Sequence, residues 1–315
     1  MNEPIEITII APIYNEIGNL DELYRRMVET MEKTGHSWEL VLVDDGSTDG
    51  STERIRQLAT SDGRVRPVIF ARNFGHQIAV TAGLDYSRGN AVVIIDADLQ
   101  DPPEVVLQLI GKWREGYEVV YAVRKSREGE SWFKLLTAKL FYRLINRITS
   151  INIPLDTGDF RLMDRKVVDV MNSMREHHRF LRGMSAWIGF RQTGVEYERA
   201  ARFSGETHYP ISKMFRLAFT AITGFSFLPL QFATYMGFVT AGLAVLAIPV
   251  VIVMRLLGSQ AFFGQATTLI AVLFLGGVQL MSLGILGEYI GRLYDEARGR
   301  PLYIVAHGPD DFNND

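Results

Sequence analysis

Ala91-Val92-Val93-Ile94-Ile95-Asp96-Ala97-Asp98 is the stretch that decides the fold. A run of β-branched residues feeding into two carboxylates reads as a strand buried in a parallel sheet, with acids at its carboxyl end. Open α/β sheets bind ligands at that edge. Two carboxylates one residue apart, with Gln100 beside them, offer hard oxygen ligands for Mg²⁺ or Mn²⁺. Such an ion commonly neutralises a diphosphate. Solvated turn acids give the same short pattern, so the surrounding chain has to decide.

Outward from that strand the same unit repeats. Ile5 to Pro12 reads as a strand ending in Pro12-Ile13-Tyr14-Asn15-Glu16, and helical periodicity follows over Asn19 to Met31. Trp38 to Val43 is a second strand, ending in Asp44-Asp45-Gly46-Ser47-Thr48-Asp49. Ser47, Thr48 and Asp49 are candidate caps for a helix continuing through Leu58. Val65 to Phe70 is a third strand, followed by Arg72-Asn73-Phe74-Gly75-His76 and a helix over Gln77 to Tyr86. Val119 to Val123 is a further strand. Strands alternating with helices at this spacing imply right-handed βαβ units and an α/β, mostly parallel sheet. Polar residues collect just after the strands, where a nucleotide lies in such folds. No Gly-x-Gly-x-x-Gly follows the first strand and no Walker A lysine loop is present. The Asp44–Gly50 stretch lacks the alternating acids and closing glutamate of a calcium loop.

The 315 residues carry a formal net charge of −3, which does not favour a nucleic-acid partner. The absence of cysteine excludes disulfides and thiolate metal sites. The opening residues show no signal-peptide pattern. Charge is distributed unevenly. Leu217 to Met254 contains no Asp, Glu, Lys, Arg or His, and after Arg255 the stretch Leu256 to Gly287 is again uncharged. Each stretch exceeds the roughly 20 apolar residues a membrane span needs. The expected organisation is a catalytic domain over 1–209, an interfacial amphipathic helix over 210–226, two transmembrane helices within 227–291 (near 228–254 and 267–290), and a tail over 292–315. Lys213 and Arg216 before the pair, and Arg292, Arg298 and Arg300 after it, orient both termini to the cytoplasm by the positive-inside rule. Gly276, Gly277, Gly284, Gly287 and Gly291 would allow close helix contacts, within the pair or in a homo-oligomer.

Four segments in order then carry a resemblance: Pro12-x-Tyr14-Asn15-Glu16, Val43-Asp44-Asp45-Gly46-Ser47, Asn73-x-Gly75-x-x-x-Ala79 and Asp96-Ala97-Asp98-Leu99-Gln100-Asp101-Pro102-Pro103. Together they resemble the inverting GT-A glycosyltransferases of family 2, in the dolichyl-phosphate-mannose-synthase branch. With the trailing apolar pair and Glu288-Tyr289-Ile290-Gly291-Arg292, the chain looks like the bacterial polyisoprenyl-phosphate glycosyltransferases, the GtrB-like group. The resemblance covers nearly the whole chain.

It implies that Pro12, Tyr14, Asn15, Glu16, Asp44 and Asp45 hold the nucleotide, with Arg72, Asp96 and Ala97 close to the nucleotide sugar. Asp96, Asp98 and Gln100 would ligate or surround Mg²⁺ or Mn²⁺. An acid facing the sugar's anomeric carbon is assigned as catalytic base, with Asp159 the first choice and Asp156 the second. A competing reading of Asp159 is a helix cap ahead of Leu162 to Met171. Arg124, Lys125, Arg127, Arg202 and Lys213 would meet a lipid phosphate near the membrane surface. A lipid phosphate is already mostly ionised near pH 7, its second pKa being about 6, so the acid could equally orient the phosphate or stabilise developing positive charge. The six histidines show no zinc spacing and are read as non-metal. Trp132, Phe133, Phe141 and Tyr142 read as packing residues of a helix.

The expected function is inverting transfer of a hexose, glucose in the first place, from a UDP-sugar to a polyprenyl phosphate such as undecaprenyl phosphate, in a bacterial cytoplasmic membrane. The alternatives are the same reaction with GDP-mannose and a non-catalytic sugar-nucleotide-binding scaffold. A processive polysaccharide synthase is disfavoured, because Arg182-Gly183-Met184-Ser185-Ala186-Trp187 does not fit the Gln-x-x-Arg-Trp motif of those enzymes.

Overall fold

The computed structural model describes residues 4–125, 157–199, 226–257 and 265–312. The chain divides into two compact units. One comprises Met1–Asn146, Ile151–Met214 and Pro301–Asp315; the other comprises Arg147–Ser150 and Phe215–Arg300.

In the first unit, β1 (Ile7–Ile13) and β2 (Trp38–Asp44) are buried over their full length. Helices on both faces make this possible, which is why these strands read as unbroken apolar runs. β1 pairs in parallel with β2 and with β4 (Ala91–Ile94), and β2 pairs in parallel with β3 (Val65–Phe70). Ile13 lies opposite Asp44, Asp44 opposite Ile69, and Ile10 opposite Ile94. The register therefore delivers the residues after all four strands to one edge. Helices α1 (Ile17–Glu32), α2 (Ser51–Ser61) and α3 (His76–Tyr86) provide the crossovers. A Cβ on Gly83 of α3 would approach Ile10 Cγ2 to 2.2 Å, so α3 rests directly on β1.

The whole sheet has eight strands among the described residues, in the order β7-β5-β6-β4-β1-β2-β3-β8. It is mostly parallel but mixed. β5 (Val119–Arg124) follows α4 (Val106–Arg114) and pairs in parallel with β7 (Gln192–Tyr197). β6 (Thr157–Asp164) runs antiparallel between β4 and β5. Here the structure corrects the helix-cap reading of Asp159. Residues 157–164 form a buried strand, and the helix starts later, as α5 (Arg165–Ser173), capped by Asp164 accepting from the Lys166 amide. Alternation cannot reveal a strand whose two faces are both covered, because every position is then buried. The cap of α2 also differs from expectation: it is Gly50, at φ 97°, while Asp49 Oδ1 accepts the Ser51 amide at 3.0 Å. A short α6 (Leu181–Trp187) precedes β7.

Under the amino ends of the strands lies a buried polar hub. Glu39 accepts from Thr8 Oγ1 at 2.7 Å, the Arg88 amide at 2.8 Å and Arg66 Nη1 at 3.3 Å. Removing one partner of such a cluster strands the rest in low dielectric. Glu39→Ala should therefore cost about 3 kcal/mol of stability, read as a lower denaturant midpoint by tryptophan fluorescence. An unchanged midpoint would mean the hub is solvated.

The tail divides at residue 300. Residues 301–312 belong to the sheet unit, where β8 (Val305–His307) pairs antiparallel with β3. Tyr303 stacks on Phe70, with centroids 5.1 Å apart, and its hydroxyl donates to Asp85 at 2.7 Å. Burial, with the Asp85 hydrogen bond and charge, pushes the Tyr303 phenol up.

The second unit holds α7 (Leu228–Leu256) and α8 (Gln265–Ala297). Within them, Leu228–Met254 has mean hydropathy 2.5 and Ile270–Ala297 has 2.1. At 1.5 Å per residue each segment reaches about 40 Å, more than the roughly 30 Å of a bilayer's hydrocarbon core. Tyr289 donates to the Ser226 carbonyl at 2.9 Å, tying the pair together. The expected interfacial helix over 210–226 lies outside the described residues, except for Ser226. Trp132, Phe133, Phe141 and Tyr142 also lie outside them.

Candidate active site at the carboxyl edge of the sheet

The loops after β1, β2 and β3 interlock through their polar residues. Asn15, in the left-handed region at φ 56°, accepts the Thr48 amide at 2.8 Å and donates its own amide to Ser47 Oγ at 3.0 Å. Asp44 accepts the Ser47 amide at 2.9 Å and the Thr52 hydroxyl. Asp45 accepts two amides of the next loop, Phe74 at 2.6 Å and Gly75 at 2.9 Å. Burial nevertheless pushes the Asp45 carboxyl up, the two amides opposing it. Gly46, at φ 74°, has no room for a side chain: a Cβ would meet the Arg72 carbonyl carbon and the Asn73 nitrogen at 2.7 Å. The acidic pair expected to hold a nucleotide thus first ties the loops after β2 and β3 together. Pro12 is buried in β1, and Tyr14 is half-exposed beside it. Glu16 accepts from Asn19 Nδ2 at 2.5 Å. Arg72 is exposed, with its guanidinium 4.0 Å from the Phe74 ring centroid.

A second cluster forms where β4, β6 and α3 meet. Asp159 is buried on β6. Its Oδ1 accepts from Arg182 Nε at 2.8 Å, and its Oδ2 accepts from Gln77 Nε2 at 2.9 Å and lies 3.2 Å from His76 Nε2. Burial alone would raise its pKa, but the Arg182 charge and the bonds from His76 and Arg182 hold the carboxyl well below the usual range. Gln77 Oε1 in turn accepts the Leu181 amide at 2.9 Å, fixing the start of the helix that carries Arg182. Arg161, two residues on and buried, donates to Ser185 Oγ and, at 3.1 Å, to the Gly158 carbonyl; burial lowers it to about 10.

His76 lies between the two acids, 3.7 Å from Asp96 Oδ1 and 3.2 Å from Asp159 Oδ2. Burial disfavours the imidazolium, yet the Asp159 hydrogen bond and the charges of Asp96 and Asp159 raise His76 from 6.5 to about 9. A raised pKa stabilises the fold fully below the unfolded value and ceases to do so above the folded one. In metal-free protein the His76 contribution should therefore be complete below pH 6.5 and lost as the pH rises through about 9. Melting temperature against pH should fall across that window, and His76→Asn should flatten it. An equally steep profile in the variant would assign the fall to other groups.

Asp96 follows β4 and is half-buried. Burial raises its pKa; the His76 charge opposes this, and Asp159, Asp101 and Asp98 reinforce it. Its Oδ1 is buried without a hydrogen-bond partner. A carboxylate oxygen left this way is costly, and a divalent cation would satisfy it. Asp98 Oδ1 accepts the Gln100 amide at 3.1 Å, holding the loop in which Leu99 takes φ 58°. Among the described residues, no group of three or more His, Cys, Asp or Glu side chains forms a ready cage. Two carboxylates with substrate phosphates and water are, however, the usual shell of a Mg²⁺-type ion, so the residues present fit one.

Of the cations expected at the acceptor side, Arg124 and Lys125 lie at the end of β5, Lys125 exposed and Arg124 half-buried. Asp156, Arg127, Arg202 and Lys213 fall outside the described residues. The sequence reading missed His76, Gln77, Arg161 and Arg182. His76 and Gln77 carried a signal, standing at a helix start directly after a strand-end loop. Arg182 carried none, because only the tertiary fold brings α6 to β6.

The profile described as Glycosyl transferase family 2 matches residues 8–171. Full-length likeness extends to an uncharacterized glycosyltransferase of Bacillus subtilis (strain 168), YkcC, 50% identical over 305 residues that cover 97% of this chain and 94% of that protein. The bactoprenol glucosyl transferase of Shigella phage SfV is 40% identical over 303 residues, 96% of this chain and 99% of the phage protein. Among solved structures, glucosyl-3-phosphoglycerate synthase from Mycobacterium tuberculosis, in complex with Mn²⁺, uridine diphosphate and glucosyl-3-phosphoglycerate, is 20% identical with a TM-score of 0.46, over 69% of this chain and 77% of that one.

Proposed function

The chain belongs to glycosyl transferase family 2, and on that premise we propose that it moves a hexose, glucose in the first place, from a UDP-sugar to a polyprenyl phosphate. The observation that carries the reading is Asp96: a buried, unsatisfied carboxylate oxygen beside Asp159, in a chain collinear with bactoprenol glucosyl transferases. The membrane segments agree with a lipid acceptor, since two helices here are long and apolar enough to span a bilayer. We assign the protein to a bacterial cytoplasmic membrane, with the sheet unit and both termini on the cytoplasmic side.

In this reading a lipid-phosphate oxygen attacks the anomeric carbon in line with the departing diphosphate. The new C–O bond forms as the bond to the diphosphate breaks, UDP leaves, and an α-linked donor gives a β-linked product. A Mg²⁺ or Mn²⁺ ion held by Asp96, Asp98 and Gln100 would neutralise the leaving diphosphate. The interlocked loops around Asn15, Asp44 and Asp45 present Tyr14, Glu16 and Arg72 to the nucleotide. Asp159, with both oxygens engaged and its pKa depressed, is poorly suited to take a proton. It acts as a fixed negative charge that keeps Arg182 and His76 in place and favours positive character at the sugar. Arg124 and Lys125, with Arg127, Arg202 and Lys213, would receive the acceptor phosphate.

The test uses purified protein in detergent with Mg²⁺, undecaprenyl phosphate and a panel of radiolabelled sugar nucleotides, counting label extracted into organic solvent. Label from a UDP-sugar alone is the expected result. Label from GDP-mannose alone would transfer the assignment to a mannose synthase. No lipid label in protein that still binds UDP would leave a binding scaffold.

A further inference from the structure

Asp101 closes the loop that begins at Asp96, and it is completely buried. Its Oδ1 accepts from the Tyr197 hydroxyl at the end of β7. Its Oδ2 is buried without a hydrogen bond and lies 3.7 Å from Arg124 Nη2; Arg199 Nε stands 3.8 Å from Oδ1. Arg124 Nε donates to the same Tyr197 hydroxyl at 3.1 Å. The guanidinium also occupies the space a side chain at position 158 would need, since a Cβ on Gly158 would meet Arg124 Nη2 at 2.7 Å. Gly158 adjoins Asp159. One buried carboxylate therefore fastens the loop of candidate metal acids to the cation at the end of β5, and a missing side chain leaves that cation its place.

We propose that Asp101 is a positioning residue: through Tyr197 and its own charge it holds the Arg124 guanidinium over Gly158, oriented for the acceptor phosphate. The proposal rests on the reading of Arg124 as an acceptor-phosphate ligand. It adds that Arg124 works only in the place Asp101 and Gly158 give it. Two dissimilar changes should then produce one defect. Asp101→Asn keeps an acceptor for the Tyr197 hydroxyl but removes the charge that attracts Arg124. Gly158→Ala leaves every charge intact and pushes the guanidinium aside.

The experiment measures initial rates of the full-length protein in detergent, with undecaprenyl phosphate varied at saturating UDP-glucose, and UDP affinity by equilibrium binding. Each variant is expected to raise the lipid-phosphate KM about tenfold, the effect of disturbing one charge-assisted contact, with UDP affinity within about twofold of wild type. The double variant should do little worse than either single one, because both act through Arg124. If Asp101→Asn weakens UDP binding while the acceptor KM stays unchanged, Asp101 serves only the metal loop and the proposal falls. An unchanged acceptor KM in Gly158→Ala overturns it even if Asp101→Asn fails to fold. Failure of the proposed transfer itself looks different, since wild-type protein would then form no lipid-linked sugar.

Discussion

Asp98→Asn should lower transfer about 10³-fold, the scale on which loss of a preorganised charge at a reacting centre is felt, and leave the melting temperature nearly unchanged. The separation of the two effects follows from geometry. Asp98 is half-exposed, and its Oδ1 accepts the Gln100 amide at 3.1 Å. An asparagine Oδ1 accepts that amide equally well, so the turn, including the left-handed Leu99, is retained. What disappears is one negative charge at the edge where Asp96 already presents an unsatisfied oxygen. Mn²⁺ binding, followed by calorimetry in the presence of UDP, should weaken in parallel with activity. Near-normal transfer by a well-folded Asp98→Asn protein would remove Asp98 from the metal site.

Asp159→Asn should also reduce turnover by about 10²- to 10³-fold, for a different reason. Its carboxylate balances Arg182 and His76, with the buried Arg161 close by. An amide can satisfy some of those donors but not their charge, so the cations would repel one another and shift. The pH profile separates this role from that of a general base. The acceptor phosphate ionises with a second pKa of about 6, whereas Asp159 is held well below the ordinary carboxylate range. The acid limb of the rate should lie near the phosphate value in wild type and stay there in Asp159→Asn, with activity lowered evenly at every pH. If the variant instead lost its acid limb, Asp159 would be titrating in the reaction and would be the base.

Much of the sheet was legible because its central strands are buried on both faces and announce themselves as apolar runs, each closed by polar residues. Ile7–Ile13, Trp38–Asp44, Val65–Phe70 and Ala91–Ile94 lie within two residues of where the sequence puts them. β6 was hidden in a mixed sequence, Thr157 to Asp164, whose polar members Asp159 and Arg161 are buried only because each finds a partner from distant elements. The site was half legible for the same reason. Asp96, Asp98 and Asp159 stand out as acids at strand ends or in a loop-like stretch. The groups that surround Asp96 and Asp159, namely His76, Gln77 and Arg182, are supplied by α3 and α6 and cannot be paired with them from spacing. Asp44 and Asp45 were read as ligand groups, and the structure adds that their carboxylates organise the loops after β2 and β3.

The strand that closes the outer edge of β3 lies beyond both long apolar helices in the sequence. β3 acquires its antiparallel neighbour only when Val305–His307 has been synthesised, after both long apolar helices. A polypeptide whose first and last strands share one sheet must cross any bilayer an even number of times. Until both helices and Val305–His307 have been synthesised, the outer edge of β3 stays open, and an open edge invites pairing with other chains. In the membrane arrangement proposed above, completion of the sheet would therefore report completion of insertion: a nascent chain stalled with one helix inserted would carry an unfinished sheet, recognisable to proteases and chaperones.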